Sequence, residues 1–452
     1  MTGTDAVTHT PARLSAPDAA RVTAQVLAPA LAPGPATHRG PGPAPAGCAG
    51  DRRATGLLTE LRDRYGPGPL RLDLAGRRFA VVLDAGDAAH VLAGTPDPYS
   101  PAARDDHAAP DRFRPHGVLA PSGGQRDERR AFNEAVLEYG YQLHSSAPRL
   151  VRTVREEAGR LLGATTGGDG ELDWAAFSAA WDRTVRRVVL GDTARDDTAL
   201  TAMLGRLRSA ADRSAAGPRR TGPRRTGPRR RFDRRLRAHL ARGGPGSLAA
   251  ALATTPARPG TDPAAQVPHW LAAFDAAGVA AFRTLALLAT HPAKETQVRN
   301  ELAVTDLTEP RLLPYTRACV LESVRLWPTT PFLLRESVRA TTWGEEVLPG
   351  GTAFLIHAPL FHRDAELPYA DRFVPEIWLD GTAQDTEALM PFSAGPAECP
   401  GEDLVLLVTS TALAALLERH TYLPGHPARL RPDRPLPPAL DHFRLRFTAL
   451  SH

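Results

Sequence analysis

Phe392–Gly401 constrains this chain more than any other stretch. It reads F-x-x-G-x-x-x-C-x-G, with Phe392, Gly395, Cys399 and Gly401 at the fixed positions. The apolar helical pattern EDLVLLVTSTALAALLE follows at once. Gly395 lets the chain turn tightly, and Gly401 frees the backbone just beyond the cysteine. A helix starting there aims its first amides, and its positive dipole end, back at the sulfur. Such donors lower a thiol's pKa and tune a metal held by the thiolate. Phe392 would shield the sulfur from water. The plain alternative is a buried cysteine at a helix start.

Composition removes other readings of that cysteine. The 452 residues hold three cysteines, Cys48, Cys319 and Cys399. Three cannot build a disulfide framework or an all-cysteine zinc site. Cys319 reads as a small core residue and Cys48 as an idle thiol. Hydrophobic residues are 42% and mean hydropathy is -0.27, as in a soluble globular protein. The net charge of +5 is weak evidence for nucleic acid, and none is expected as a partner. Lys294 is the single lysine, so the basic charge is arginine, first of all a mark of a GC-rich genome. No signal peptide and no run of about 18 apolar residues is visible. A cytoplasmic protein with no membrane partner is the default expectation.

The rest of the chain reads as mainly α with a minor antiparallel β-sheet, in one large domain. Residues 1–50 are Ala- and Pro-rich and are expected to be a disordered leader to a domain at 51–452. A hairpin and a helix are expected from Leu70. Residues 95–124 look like a long functional loop. Helices are expected from Gln125 and at 147–163, 171–191, 197–213, 232–242, 246–254, 264–290, 293–304, 313–327 and 401–419. The GPRRT repeat at 217–231 reads as an exposed basic loop. Short strands are expected within 332–361.

With these elements in place, the cysteine loop resembles the haem-binding loop of the cytochrome P-450 superfamily, where the cysteine is the axial thiolate ligand of haem iron. Other family landmarks stand in the expected order. LESVRLWP places Glu322 and Arg325 at E-x-x-R, like the structural ion pair of the family's K helix. Alone, that spacing is a common surface pair. PYADRFVPEIWLDG resembles the meander that completes the pair, with Arg372 and Phe373 in pattern and Trp378 where the family often has Arg or Trp. WLAAFDAAGVAAF resembles the I helix, normally A-G-x-D/E-T-T. The acid is kept as Asp275, but the usual threonine is Ala276. The resemblance implies that Asp275 and the 276 position handle protons, and that the missing hydroxyl must be replaced by water, Asp275 or the substrate. Gly278 would loosen this helix and admit water.

The resemblance also implies haem b, with dioxygen as co-substrate. Arginines suit the two haem propionates. Arg129 matches the C-helix arginine of W/H-x-x-x-R, with Gln125 replacing the aromatic or His and Arg130 as the neighbouring candidate. Arg335 matches the arginine after the K helix. Ala397 stands where the family usually has His or Arg. His362 begins a segment like the family's N/H-R-D-P, and a metal reading of His357 with His362 is weak. By the same resemblance the substrate pocket takes Ala273, Phe274, Thr330, Phe332, Leu333, Asp441 and His442, although each aromatic there could equally be core packing.

The implied activity is a monooxygenase hydroxylating a small organic substrate, free or carrier-bound, in secondary metabolism. Electrons would come from an external ferredoxin and its reductase, because no flavin or nicotinamide module is visible. Arg126, Arg129 and Arg130 mark the face for an acidic ferredoxin. A monomer is expected. Ala276 keeps open oxidative coupling, desaturation or peroxygenase chemistry. A haem-binding protein without turnover is the reading from another class.

Overall fold

The computed structural model describes residues 8–31, 46–74, 76–101, 124–166, 170–215, 226–425 and 429–451. The central part of the 95–124 loop, and the repeat as far as residue 225, lie outside them.

The main helices are α1 (Ala16–Val22), α2 (Ala46–Tyr65), α3 (Ala85–Ala93), α4 (Gly124–Leu137), α5 (Ala147–Thr166), α6 (Trp174–Leu190), α7 (Thr198–Ala215), α8 (Thr226–Leu240), α9 (Leu248–Thr254), α10 (Val267–Thr290), α11 (Pro292–Ala303), α12 (Pro314–Leu326) and α13 (Glu402–Leu417). From α5 onward the main helices fall close to their expected spans. Their ends follow local chemistry. Asp173 caps α6 by accepting the Ala176 amide, and Pro292 and Pro314 open α11 and α12, where a missing N–H costs nothing.

α10 is apolar on every side because it is covered on every side. From Ala277 to Leu288 every residue is buried, packed by α6, α12, α13 and the C-terminal strands. The stretch Pro263–Thr290 is long and apolar enough to span a bilayer, but 78% of its apolar window is buried inside the fold. One large core surrounds this helix, and a second lies on the sheet.

The principal sheet has six strands, and it is mixed rather than purely antiparallel. Its order is β1 (Ala12–Arg13), β2 (Leu70–Leu74), β3 (Arg77–Val82), β9 (Thr352–His357), β6 (Phe332–Ser337), β4 (Tyr99–Ser100). β1 runs parallel to β2 and β3 parallel to β9; the other pairs are antiparallel. An antiparallel three-stranded sheet joins β10 (His420–Pro424), β11 (Arg446–Ser451) and β5 (Glu171–Asp173). β7 (Thr341–Trp343) and β8 (Glu346–Leu348) form a hairpin.

Two expectations need correction. Part of the supposed disordered leader, residues 8–31, is folded. Ser15 caps α1 with Pro17 in its first turn, and Val22, Val26 and Leu27 are buried at helical spacing in the sheet core. The Ala/Pro composition hid that short apolar stripe. The boundary at residue 50 also falls inside α2. The second correction concerns the basic repeat. Its last residues, from Thr226, are the first turns of α8, because Phe232 and Leu236 anchor an otherwise polar helix.

Candidate functional site

Cys399 sits where a tight loop meets α13. The loop closes on itself: the Cys399 amide donates to the Phe392 carbonyl at 2.9 Å. Gly395 adopts φ +69°, and a Cβ there would lie 2.3 Å from the Leu92 carbonyl oxygen. Glycine is therefore dictated by both conformation and the approach of α3. Gly401 starts α13, and its N–H donates to the Cys399 sulfur, which favours the thiolate. Burial works the other way and pushes the Cys399 thiol up to about 11. A bound cation is what reverses that preference. Phe392 is half-buried against the helical core.

Arg130 braces this loop from outside. Its guanidinium donates to the Glu398 carbonyl at 2.5 Å and lies over the Tyr139 ring, whose hydroxyl binds the Glu398 carboxylate. Arg130 is thus engaged on the loop next to the cysteine.

Arg335 is 5% exposed on β6. It donates to the Thr95 and Ser393 hydroxyls at 3.2 and 3.1 Å and to the Leu334 carbonyl at 3.0 Å. It has no carboxylate partner among the described residues. Burial, with the nearby charge of Arg126, pushes its pKa down to about 10. Arg126 is also 5% exposed, and its Nε is buried without a hydrogen-bond partner among the described residues. Arg129, singled out from sequence, is equally buried and lies in the field of Asp262, as Arg126 lies in that of Asp127 at 3.9 Å. Sequence reasoning thus missed Arg126 as the neighbour of Arg335. The signal was present: residues 126 and 129 are three apart and share a helix face.

Buried Arg335 has no carboxylate among the described residues, and Arg126 has only a 3.9 Å contact with exposed Asp127, so both can accept a buried anion. A group with two carboxylates matches that need, and Arg–carboxylate pairs are strong. Together with a half-buried thiol on a helix N-terminus, these residues fit haem.

Glu322 and Arg325 on α12 are both fully buried and pair bidentately, at 2.7 Å for each contact. Arg325 also donates to the carbonyls of His362, Tyr369, Ala370 and Arg372. Glu322 accepts from the Val374 amide at 2.9 Å and from Trp378 Nε1 at 3.0 Å. Phe373 is buried beside them. His362, fully buried and held neutral with a pKa near 3 by burial, accepts the Met390 amide just before the cysteine loop. The pair therefore fixes the segment that delivers Cys399.

On α10, Ala272, Ala273 and Ala276 are half-buried where their neighbours are packed. Asp275 points elsewhere, to an ion pair with Arg208 of α7 at 2.5 Å. That pair borders a cavity of about 280 Å³ between α6, α7 and α10, lined by Trp174, Trp181 and Leu271 among others. Gly278 does not loosen the helix. Trp181 fills the space a side chain would take, and α10 is unbroken there.

The proposed pocket residues separate. Ala273, Phe332 and Leu333 are half-buried, with Phe332 stacked on His357 at 4.6 Å. Thr330 is exposed. Asp441 is half-buried and caps a turn by accepting the Phe443 amide at 3.1 Å. Phe274 and His442 are 2% and 1% exposed and belong to the core. His442 packs edge-on to Trp174 at 4.5 Å, and neither ring nitrogen has a partner among the described residues. Both face the helical core rather than the side of Ala272 and Ala276.

Known proteins carry the same organisation. The family profile for cytochrome P-450 matches residues 270–436. The chain is 36% identical over 167 residues to cytochrome P-450 cyp-13B1 of Caenorhabditis elegans, covering 34% of this chain and 32% of that one. It is 35% identical over 144 residues to cyclooctat-9-en-7-ol 5-monooxygenase of Streptomyces melanosporofaciens, covering 29% and 31%. The match thus spans about a third of these curated relatives' length. The fold extends much further. A crystal structure of a cytochrome P-450 (CYP102L1) superposes with a TM-score of 0.70 at 17% identity, covering 87% of this chain and 97% of that chain. Sequence match from α10 past the cysteine loop, and fold match over most of the chain, agree: residues 270–436 match the cytochrome P-450 family and the chain has the cytochrome P-450 fold.

Proposed function

We propose that the protein is a haem-thiolate monooxygenase that hydroxylates a small organic substrate, with Cys399 as the residue that would hold the iron of haem b. The observation that carries this reading is Cys399 itself, held by the Gly401 amide on a loop that buried Arg335 also contacts through Ser393, with no carboxylate partner for that arginine among the described residues. Haem, when bound, supplies dioxygen activation, and a thiolate ligand favours O–O cleavage. The chain supplies the rest. Gly401 and the α13 amides stabilise the sulfur as thiolate. Arg335 and Arg126 would hold the propionates, with Arg129 in support. Glu322 and Arg325 hold the cysteine segment in register. The partly exposed alanines at 272, 273 and 276, with Phe332 and Leu333, would line the substrate's side of the site. Asp275, held by Arg208 at the cavity wall, would position water that feeds protons to the site.

Two electrons and two protons accompany each hydroxylation, the second oxygen atom leaving as water. The electrons come from a ferredoxin and its reductase, docked where Arg130 and Tyr139 border the cysteine loop. A monomeric cytoplasmic enzyme of secondary metabolism fits this reading. Ala276 favours one variant of it. Without a hydroxyl there, oxidative coupling, desaturation or peroxide use competes with hydroxylation.

The deciding measurement is the carbon monoxide difference spectrum of the reduced protein. A thiolate-haem band lost in Cys399→Ala supports the assignment. A band unchanged by that substitution, or no haem binding, overturns it. Substrate-dependent consumption of reductant separates an enzyme from an inert haem carrier.

A further inference from the structure

The positive charge of this chain is concentrated. Residues 217–242 contain 11 arginines and one acid, a net charge of +10, while the whole chain carries +5. The remainder therefore sums to -5.

α8 displays much of that charge on one face. Phe232, Leu236 and His239 are buried, and Leu240 is half-buried. At 3.6 residues per turn these lie on one side. Arg230, Arg231, Arg234, Arg235 and Arg237 lie on the other and are exposed. Arg235 and Arg237 are paired with Asp197 and Asp262. Arg230, Arg231 and Arg234 have no carboxylate partner among the described residues, and exposed Arg242 continues the stripe past the helix end. Like charges one turn apart destabilise a helix. A bound anion would relieve that repulsion.

The chemistry of the stripe selects the anion. Among the described residues no large apolar side chain is exposed on α7 or α8. Stable protein interfaces centre on buried apolar and aromatic anchors, and this face offers none. Single-stranded nucleic acid is held by aromatic stacking, also missing here. A duplex presents phosphates on two strands, whereas the arginines without a carboxylate partner, Arg230, Arg231 and Arg234, lie within about one helical turn of each other. A bilayer containing anionic phospholipid requires charge alone. Guanidiniums pair bidentately with its phosphates, and the net negative remainder turns the other faces away.

We propose that the arginine face of α8 is an electrostatic docking surface for an anionic phospholipid bilayer. The surface is independent of the proposed reaction, and it departs from the expectation that no membrane is involved. α7, whose Arg208 engages Asp275, then lies next to the headgroups.

Sedimentation of the full-length protein with vesicles tests this. The probes are vesicles of phosphatidylcholine alone and vesicles with about 30% phosphatidylglycerol. Binding to the anionic vesicles is expected at low salt, falling about tenfold or more near 0.5 M NaCl. Changing Arg230, Arg231 and Arg234 together to Glu should cost about tenfold or more, and changing them to Gln somewhat less. The same charge change at exposed Arg52, Arg53 and Arg258 should leave binding within about twofold. Equal binding to both vesicles overturns the proposal, as does no binding, an undiminished Gln variant, or an equal loss in the control. Tighter binding to a DNA duplex than to anionic vesicles overturns it in favour of nucleic acid. If the Glu variant does not fold, the Gln variant and the salt dependence of the parent still decide.

Discussion

Trp181 of α6 donates its indole N–H to the main-chain carbonyl of Phe274 on α10, across 2.7 Å. The ring lies against Gly278, where a Cβ would fall 2.6 Å from Cδ1 and 2.7 Å from Nε1. Glycine is here for packing. Gly278→Ala should cost about 1–3 kcal/mol through overpacking. Trp181→Phe should cost about 1–3 kcal/mol for the acceptor left buried. The double variant should lose less than the sum, because the smaller ring makes room for the methyl. Denaturant unfolding of the three variants checks this, and strict additivity would refute the packing account.

Glu322 and Arg325 are worth more as a pair than either is alone. Arg325→Met strands a fully buried carboxylate and should cost about 3–5 kcal/mol. Trp378→Phe removes one of Glu322's donors and should cost about 1–3 kcal/mol. Recovery of folded protein and unfolding midpoints give both values. A loss under about 1 kcal/mol for Arg325→Met would mean that the pair is solvated.

The buried arginines should separate by role. Haem loss to an excess of apomyoglobin should be fastest in Arg335→Gln, next in Arg126→Gln, and least changed in Arg129→Gln, which still lies beside Asp262. The cofactor-free protein gives an independent readout. There Arg335→Gln should be stabilising, because it removes a cation that burial and Arg126 both disfavour. Destabilisation of the cofactor-free form would show that its hydroxyl contacts outweigh that repulsion.

How much of this was legible in the sequence depends on the length of the signal. The helices from residue 147 onward were readable because each repeats its apolar face over several turns. The segment 8–31 was not, since three apolar side chains carry its packing within an Ala/Pro-rich composition. The cysteine loop was readable because Gly395 and Gly401 answer to backbone constraints acting over a few residues. The choice between Arg126 and Arg129 was not. It turns on how α4 is rotated against β6 and on where Asp262 lies, and both are tertiary. That Phe274 and His442 pack into the core was hidden for the same reason.

Asp87 adds a pH dependence. It is 1% exposed in α3, and burial pushes its pKa up to about 6 despite contacts from His9. A carboxyl whose pKa is raised on folding favours the folded state while protonated. That contribution is full below about pH 4 and is lost as pH rises to about 6. The shift corresponds to about 2–3 kcal/mol. Asp87→Asn should flatten stability across that window, most visibly as a gain at pH 7. Unfolding free energies at pH 4 and pH 7 test it, and an unchanged slope would place the titration elsewhere.

Ala276 and Asp275 set the last expectation. A methyl at 276 cannot hold water, and Asp275 is tied to Arg208 at 2.5 Å beside the cavity of about 280 Å³. Protons bound for the reacting oxygen then depend on the carboxylate and on water from that cavity. Asp275→Asn should lower kcat by about 10²-fold or more, the scale of a lost acid–base group, with KM little changed. Ala276→Thr should raise the share of reductant recovered as product, and in that background Asp275→Asn should be milder. Arg208→Gln should also change kcat, because it releases the Asp275 carboxylate from its ion pair. Coupling and kcat that ignore all three substitutions would mean that the substrate's own hydroxyl or amine delivers the proton.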